Sequence, residues 1–447
     1  MEFRGRNITV VGLARSGVAA ANLLQSLGAR VTVTDMKPEP ALKALSERLA
    51  HGIRKALGSH PEGLFTGADM IVVSPGVPSG IGPLVKARGA GVPVIGELEL
   101  AYALSDSPFI AITGTNGKST TTSLVGDMLK TAGMKVYVGG NLGNALTDEP
   151  ERLKGQDYIV AEVSSFQLET TMTFRPRIAA VLNITEDHLD RYAGMEEYAR
   201  AKARVSMNQE GADLLVLNAD DPPALALAGK SRCRVALFSR GKAVVGAYLD
   251  DGMVMYAAGL SGSQAVMPAD EIRIKGTHNL ENALAAVAIA LAAGVPPGAA
   301  ASTLREFPGL PHRMEFVREL GDVTYINDSK GTNVGAVLKS LEGLTRPVIL
   351  IAGGLDKHSD FSPLAHLVRE RVKKLVLIGK AADVMDEAIG KETDTVRAAT
   401  LEDAIKKSRD AAVPGDLVLL SPACASFDMF RDFEERGDRF KEIVGKL

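Results

Sequence analysis

Gly114-Thr115-Asn116-Gly117-Lys118-Ser119-Thr120 is the stretch on which the fold turns. It follows the apolar run Phe109-Ile110-Ala111-Ile112, which predicts a buried strand, and precedes residues 121–129, which predict a helix. Strand, glycine-rich turn, Gly-Lys-Ser and helix together make the layout of a nucleotide phosphate cradle. Glycines let the backbone turn tightly enough for several N–H groups to face one anion, and the helix N-terminus adds partial positive charge. Lys118 suits the terminal phosphates, and the Ser119 hydroxyl suits a Mg2+ ion. The cradle is short, with Gly114 three residues before Gly117, where the common pattern is longer. The alternative is a tight strand-to-helix turn with a solvated lysine.

Working outward, the 447 residues are 46% hydrophobic and only 5% aromatic, which fits a soluble α/β chain of several domains. A net charge of −3 gives no bulk attraction to nucleic acid or to an anionic membrane, so anion binding must come from local sites. The two cysteines, Cys233 and Cys424, stand far apart in no metal-ligand spacing, which favours a reducing compartment. Cys424 reads as a small buried residue. The apolar run at 8–13 is too short for a secretory signal. The run at 283–295 is too short to span a bilayer and predicts a buried helix ended by Gly294 and Pro296-Pro297.

Three alternating segments follow, with expected boundaries 1–96, 97–303 and 304–447. The first holds strands at 7–11, 30–34 and 70–73 and a helix at 18–27, a βαβ unit of the Rossmann type. Its turn Gly12-Leu13-Ala14-Arg15-Ser16-Gly17 has Ala14 where a dinucleotide fingerprint wants glycine, which weakens an NAD reading. The second holds the cradle and strands at 158–162, 178–182 and 214–217, with polar residues at their C-terminal ends. The third follows the linker Pro308-Gly309-Leu310-Pro311 and holds strands at 323–327, 348–352, 374–378 and 417–420 separated by helices.

Several side chains are candidates for chemistry. Glu162 at a strand end suits the Mg2+ that Ser119 would touch, or else starts a helix near Ser164. His188 stands among Glu186, Asp187 and Asp190, a metal site or a solvated cluster. In the helix expected at 196–207, Lys202 shares an apolar face with Tyr198, Ala201 and Val205. It either snorkels or reacts with CO2 to give a carbamate that ligates a second Mg2+. Asn279 and Asn282 share one face of a helix opened by Gly276, as caps or as readers of an adenine edge. His312-Arg313 at the linker offers a guanidinium fork for phosphoryl oxygens. Asp328-Ser329-Lys330-Gly331-Thr332-Asn333 and Lys357 follow strands, with Asp328 suited to a ribose hydroxyl and Lys330 and Thr332 to a carboxylate.

These blocks, in this order, resemble the bacterial Mur ligases, and the resemblance covers nearly the whole chain. The last block, residues 420–428 with 433–437 behind it, looks like that of the D-glutamate-adding members, and no Asp-Asn-Pro-Arg stretch of the diaminopimelate- or lysine-adding relatives is present. The resemblance implies an α/β chain of three domains: a Rossmann-like UDP-substrate domain, a central P-loop ATPase domain with a mostly parallel sheet, and a Rossmann-like amino-acid domain. It implies an ATP-dependent ligase that phosphorylates the carboxylate of UDP-N-acetylmuramoyl-L-alanine and lets the D-glutamate amine attack the acyl phosphate. Two Mg2+ ions and a carbamylated Lys202 are implied with it, as are a monomer and a bacterial cytoplasmic setting. By position, Lys118 and Arg313 handle the γ-phosphate, Ser119 and Glu162 one Mg2+, and His188 and Lys202 the other. Asn279, Asn282 and Asp328 hold the adenosine. Arg15, Ser16, Asp35, Lys37, Ser74 and Asn141 line the UDP-sugar site. Lys330, Thr332, Lys357, Ser426, Phe427 and Phe433 line the D-glutamate site. Ala14 departs from the family's first turn, and Phe427 from its usual smaller aliphatic. The nearest rival enzyme is a folylpolyglutamate synthase, which would lack the complete N-terminal domain; the rival from another class is an NAD-binding sensor.

Overall fold

The computed structural model describes residues 2–188, 191–259, 262–356 and 359–447. Lys357 and Asp190, both singled out in the sequence, lie outside the described residues. The chain forms three sheets, mostly parallel. It divides into two compact units: Met1–Ile184 with Glu196–Pro268 and Ala283–Thr303, and Thr185–Met195 with Ala269–Asn282 and Leu304–Leu447. Among the described residues no helix is long and apolar enough to cross a membrane.

The first sheet, in the first unit, contains β1 (Asn7–Val11), β2 (Arg30–Asp35), β3 (Arg54–Leu57), β4 (Met70–Val73) and β5 (Val94–Gly96) in the order β3-β2-β1-β4-β5, all parallel. Period-two alternation splits its core. Ile8, Val10, Met70 and Val72 pack on one face, and Val11, Ile71 and Val73 on the other. Strands buried on both faces read as continuous apolar runs, which is why β1 and β4 are legible in the sequence. The helix after β1 is Arg15–Ser26, earlier than the expected 18–27, so Arg15 and Ser16 sit in its first turn and not in the preceding loop.

The second sheet, in the same unit, has nine strands: β6 (Phe109–Thr113), β7 (Val136–Gly140), β8 (Tyr158–Glu162), β9 (Ile178–Val181), β10 (Leu214–Asn218), β11 (Arg234–Ser239), β12 (Gly246–Asp250), β13 (Met253–Ala257) and β14 (Gln264–Pro268). Their order is β14-β13-β12-β11-β10-β9-β6-β8-β7, and only β12-β13-β14 are antiparallel. β6 lies between β8 and β9, so the chain leaves it in opposite directions along the sheet. That is the switch point where open α/β sheets form ligand crevices. Expected strands at 178–182 and 214–217 are Ile178–Val181 and Leu214–Asn218. The helix expected at 196–207 is Met195–Ala203, followed by a 3-10 turn at Arg204–Ser206. The buried helix expected at 283–295 and the helix opened by Gly276 are one element, Thr277–Ala292.

The third sheet, in the second unit, contains β15 (Glu315–Leu320), β16 (Val323–Asn327), β17 (Val348–Gly353), β18 (Val372–Ile378), β19 (Asp394–Arg397) and β20 (Leu417–Leu420), in the order β15-β16-β20-β17-β18-β19. Only the β15–β16 pair is antiparallel. β17 shows the layering: Val348, Leu350 and Ala352 enter one core, Ile349 and Ile351 the other.

Candidate functional site

The cradle is built where β6, β8 and β9 end together. Parallel register sets Ile112 beside Glu162 on β8, and Thr113 beside Val181 on β9. The helix that follows is Lys118–Thr131, one turn longer at its start than the 121–129 expected. Gly117 caps it at φ +84 with no side-chain cap bond. Gly114 has φ +154, and a Cβ there would stand 3.0 Å from Leu182 Cβ, so glycine is required. Lys118 Nζ donates to Gly114 O at 3.0 Å and Thr115 O at 2.8 Å. Ser119 is buried in the first turn. A helix N-terminus with no capping side chain, an ammonium folded over its loop and a buried hydroxyl form the donor set that a polyphosphate needs.

Glu162 is 2% exposed, and its Oε1 accepts from Asn141 Nδ2 at 2.6 Å. It does not start the next helix. Ser164 caps Ser165–Leu168 in a box with Gln167, so the carboxylate is not needed for capping. Carboxylate and hydroxyl oxygens are what Mg2+ takes, and Ser119 and Glu162 carry such oxygens. Among the described residues no three His, Cys, Asp or Glu side chains group as a metal site.

Lys202 is 1% exposed, and its Nζ donates to Gly114 O at 2.8 Å and lies 4.4 Å from the Tyr198 ring centroid. The Tyr198 hydroxyl is in turn 3.3 Å from Thr115 Oγ1. The side chain therefore points into the cradle and does not snorkel to solvent.

In the first sheet, Asp35 ties down the turn after β1: Oδ2 accepts from Leu13 N–H and Oδ1 from Lys37 N–H, both at 2.8 Å. Ser74 Oγ donates to Gly12 O at 2.7 Å, and a Cβ on Gly17 would lie 2.1 Å from Gly12 O. Arg15, Ser16 and Lys37 stand around this turn at the β1 switch point, Arg15 and Lys37 exposed and Ser16 half-buried.

Glu97 and Glu99 are among the buried carboxylates that were not foreseen. On the helix Glu97–Leu104, Glu97 Oε1 accepts from Thr147 N–H and Oγ1, and burial pushes its carboxyl up from the ordinary range. Glu99 accepts from the backbone N–H groups of Met172, Thr173 and Phe174. Neither was assigned a role from the sequence, since nothing in their local sequence marks them as buried.

In the second unit, His188 has φ 56, and its Nε2 is 3.7 Å from Asp187 Oδ2. Asn333 Nδ2 donates to the same oxygen at 3.2 Å. Asn282 Nδ2 donates to Asn279 Oδ1 at 3.4 Å, and Asn279 Nδ2 to Lys275 O at 2.8 Å. His278, immediately before Asn279, is driven down to about 4 by burial first and by Arg313 second.

Asp328 is buried, accepting at Oδ2 from Ser421 Oγ (2.7 Å) and Ser340 Oγ (2.8 Å) and at Oδ1 from Met314 N–H (3.2 Å). Burial raises its carboxyl against those bonds. Lys330 Nζ lies 4.8 Å from the Phe433 ring centroid, and the His312 ring meets the same phenyl edge-on. Ser426 is buried and Thr332 half-buried, whereas Phe427 is 67% exposed. Arg436, 1% exposed and unremarked in the sequence, donates to Ser329 Oγ (2.9 Å), Ser329 O (2.8 Å) and Cys424 O (3.3 Å). Burial drives its guanidinium down to about 10.

Comparison with known proteins then matches three families along the chain. These are the Mur ligase MurD-like N-terminal domain over 6–96, the Mur ligase middle domain over 112–290, and the Mur ligase glutamate ligase domain over 312–424. A relative from Geotalea uraniireducens (strain Rf4), named UDP-N-acetylmuramoylalanine--D-glutamate ligase, is 50% identical over 100% of this chain and 99% of its own. A relative of the same name from Pelotomaculum thermopropionicum is 49% identical with the same coverage. The solved UDP-N-acetylmuramate-alanine ligase from Thermotoga maritima shares the fold, with a TM-score of 0.63 at 19% identity over 99% of both chains.

Proposed function

The chain belongs to the Mur ligase family, and from that membership we propose that it joins D-glutamate to UDP-N-acetylmuramoyl-L-alanine at the expense of ATP in peptidoglycan precursor synthesis. The observation that carries the reading is identity of about half the residues, end to end, with ligases of that name. The cradle chemistry supports it. A carboxylate does not accept an amine until it carries a leaving group. The substrate carboxylate oxygen attacks the γ-phosphorus, ADP leaves, and an acyl phosphate forms. The amine of D-glutamate adds to the carbonyl carbon, loses its proton and expels phosphate, leaving an amide.

We assign residues 1–96 to the UDP substrate, 97–303 to ATP and 304–447 to the amino acid. Lys118 and the N-terminus of Lys118–Thr131 stabilise charge that grows on the transferring phosphoryl group. Ser119 and Glu162 would hold Mg2+, which when bound screens the phosphate oxygens from the approaching carboxylate. Lys202, deprotonated and reacted with CO2, becomes an anionic carbamate suited to a second Mg2+ with His188. The remaining roles carry over from the family by position: Arg313 to the γ-phosphate; Asn279, Asn282 and Asp328 to adenosine; Arg15, Ser16, Asp35, Lys37, Ser74 and Asn141 to the UDP-sugar; Lys330, Thr332, Lys357, Ser426, Phe427 and Phe433 to D-glutamate. The same reading has the protein act as a monomer in the bacterial cytoplasm.

The test is phosphate release with ATP, Mg2+ and UDP-N-acetylmuramoyl-L-alanine, offered D-glutamate, L-glutamate or D-aspartate. Release with D-glutamate, and a product heavier by one glutamyl residue, is expected. Release driven only by a folate acceptor would replace this reading with the glutamate-adding rival.

A further inference from the structure

The short loop between Gly114 and Gly117 has an unusual support. Past the paired strands, Leu182 N–H still donates to Thr113 O (3.0 Å) and Thr115 N–H to Asn183 O (3.0 Å), so the β6–β9 ladder runs on into the loop. Asn183 then adds its side chain. Its Oδ1 accepts from Thr115 N–H at 3.1 Å and Asn116 N–H at 2.8 Å, and its Nδ2 donates to Asn116 O at 3.1 Å. The carboxamide thus faces the Asn116 backbone as a second peptide group would, donor to acceptor and acceptor to donor. Turned the other way, the amide would lose all three bonds.

This pairing has a consequence for the cradle. In a longer loop, successive N–H groups make a concave nest that faces the anion. Here the N–H groups of Thr115 and Asn116 face Asn183. The Gly114 carbonyl takes Lys118 Nζ and Lys202 Nζ. What remains for the phosphates is the N-terminus of Lys118–Thr131 and the Lys118 ammonium group.

We propose that Asn183 is the positioning residue of the phosphate loop: its carboxamide holds Thr115 and Asn116 in place and commits their N–H groups before nucleotide arrives. The bound anion then meets the first turn of the helix and Lys118. The proposal rests on the reading of 114–120 as the nucleotide site. Its economy is entropic, because a loop ordered in advance loses less freedom on binding.

Amide hydrogen exchange on the wild-type protein, with and without the non-hydrolysable analogue AMP-PNP and Mg2+, tests it without a variant. Thr115 and Asn116 amides should be protected in the free protein and gain nothing on binding. Amides of residues 117–120 should gain protection. Thr115 and Asn116 amides that exchange freely and become protected only with the analogue would overturn the proposal. An absence of analogue binding to the wild type would instead overturn the nucleotide reading. Asn183→Ala should weaken the analogue about tenfold, the order of one lost hydrogen bond's net effect. It should raise the KM for ATP while leaving the KM for D-glutamate within about twofold. A variant with unchanged analogue affinity, or with both KM values raised alike, would contradict it.

Discussion

Lys118 and Lys202 place two ammonium groups on one carbonyl oxygen, that of Gly114, at 3.0 and 2.8 Å. Lys118 Nζ also donates to Thr115 O and Lys202 Nζ lies against the Tyr198 ring, yet burying an ammonium group costs free energy. A triphosphate for Lys118, and conversion of Lys202 to an anion, would each relieve that cost. Lys118→Ala should therefore cut ligation by at least about a hundredfold, the usual scale for a lost transition-state charge partner, with little change in melting temperature. More than about a tenth of wild-type turnover would count against the assignment. Lys202→Ala should be nearly inactive, with partial recovery in acetate, whose carboxylate fits the vacated space; normal turnover without acetate would remove the carbamate from the account. At this scale the sequence was informative where spacing alone defines the chemistry, as in Gly-Lys-Ser. Asn183 and Arg436 lie within larger sequence blocks that gave neither a role, because their partners are distant in sequence and their own neighbourhoods look like ordinary loop and helix.

Helix ends and strand ends, more than single residues, set the pH response and the order of the C-terminal loops. The helix Thr277–Ala292 carries His278 in its first turn, where burial, the neighbouring Arg313 and the positive end of the helix all oppose a charged imidazole. Its native value, about 4, lies below the ordinary 6.5, so the unfolded chain binds the proton first as pH falls. Stability from this group is complete above about pH 6.5 and should fall as pH drops from there towards 4. Melting curves across that window should show it, and His278→Asn should flatten the slope; an unchanged slope would mean another group titrates. On the helix Phe433–Gly445, Arg436 joins the loop after β16 to the loop after β20 through Ser329 and Cys424. Arg436→Met removes the guanidinium's bonds to Ser329 and Cys424. It should raise the KM for D-glutamate at least about fivefold while ATP-analogue affinity stays near wild type, the cost of losing buried hydrogen bonds to a charged donor. Equal loss in both would make the arginine a general stability element. The central strands were legible because they are buried on both faces and largely apolar. β12, β13 and β14 were not: β13 and β14 are partly exposed and pair antiparallel, and Gly246 opens β12 against the backbone of Leu237.

Across the whole molecule, the three-sheet α/β plan followed from alternating strand and helix signals, and the five-stranded first sheet is the part that separates this chain from a folylpolyglutamate synthase. The residues proposed for the UDP and amino-acid sites were reachable only through the family resemblance, because single side chains at strand ends carry no periodic signal. The central claim is that the substrate carboxylate is activated by phosphorylation. The most direct measurement uses UDP-N-acetylmuramoyl-L-alanine labelled with 18O in both carboxylate oxygens, with ATP, Mg2+ and D-glutamate. One labelled oxygen should leave in the released phosphate and the other should stay in the new amide carbonyl. Unlabelled phosphate, with amide formed or not, would contradict the account.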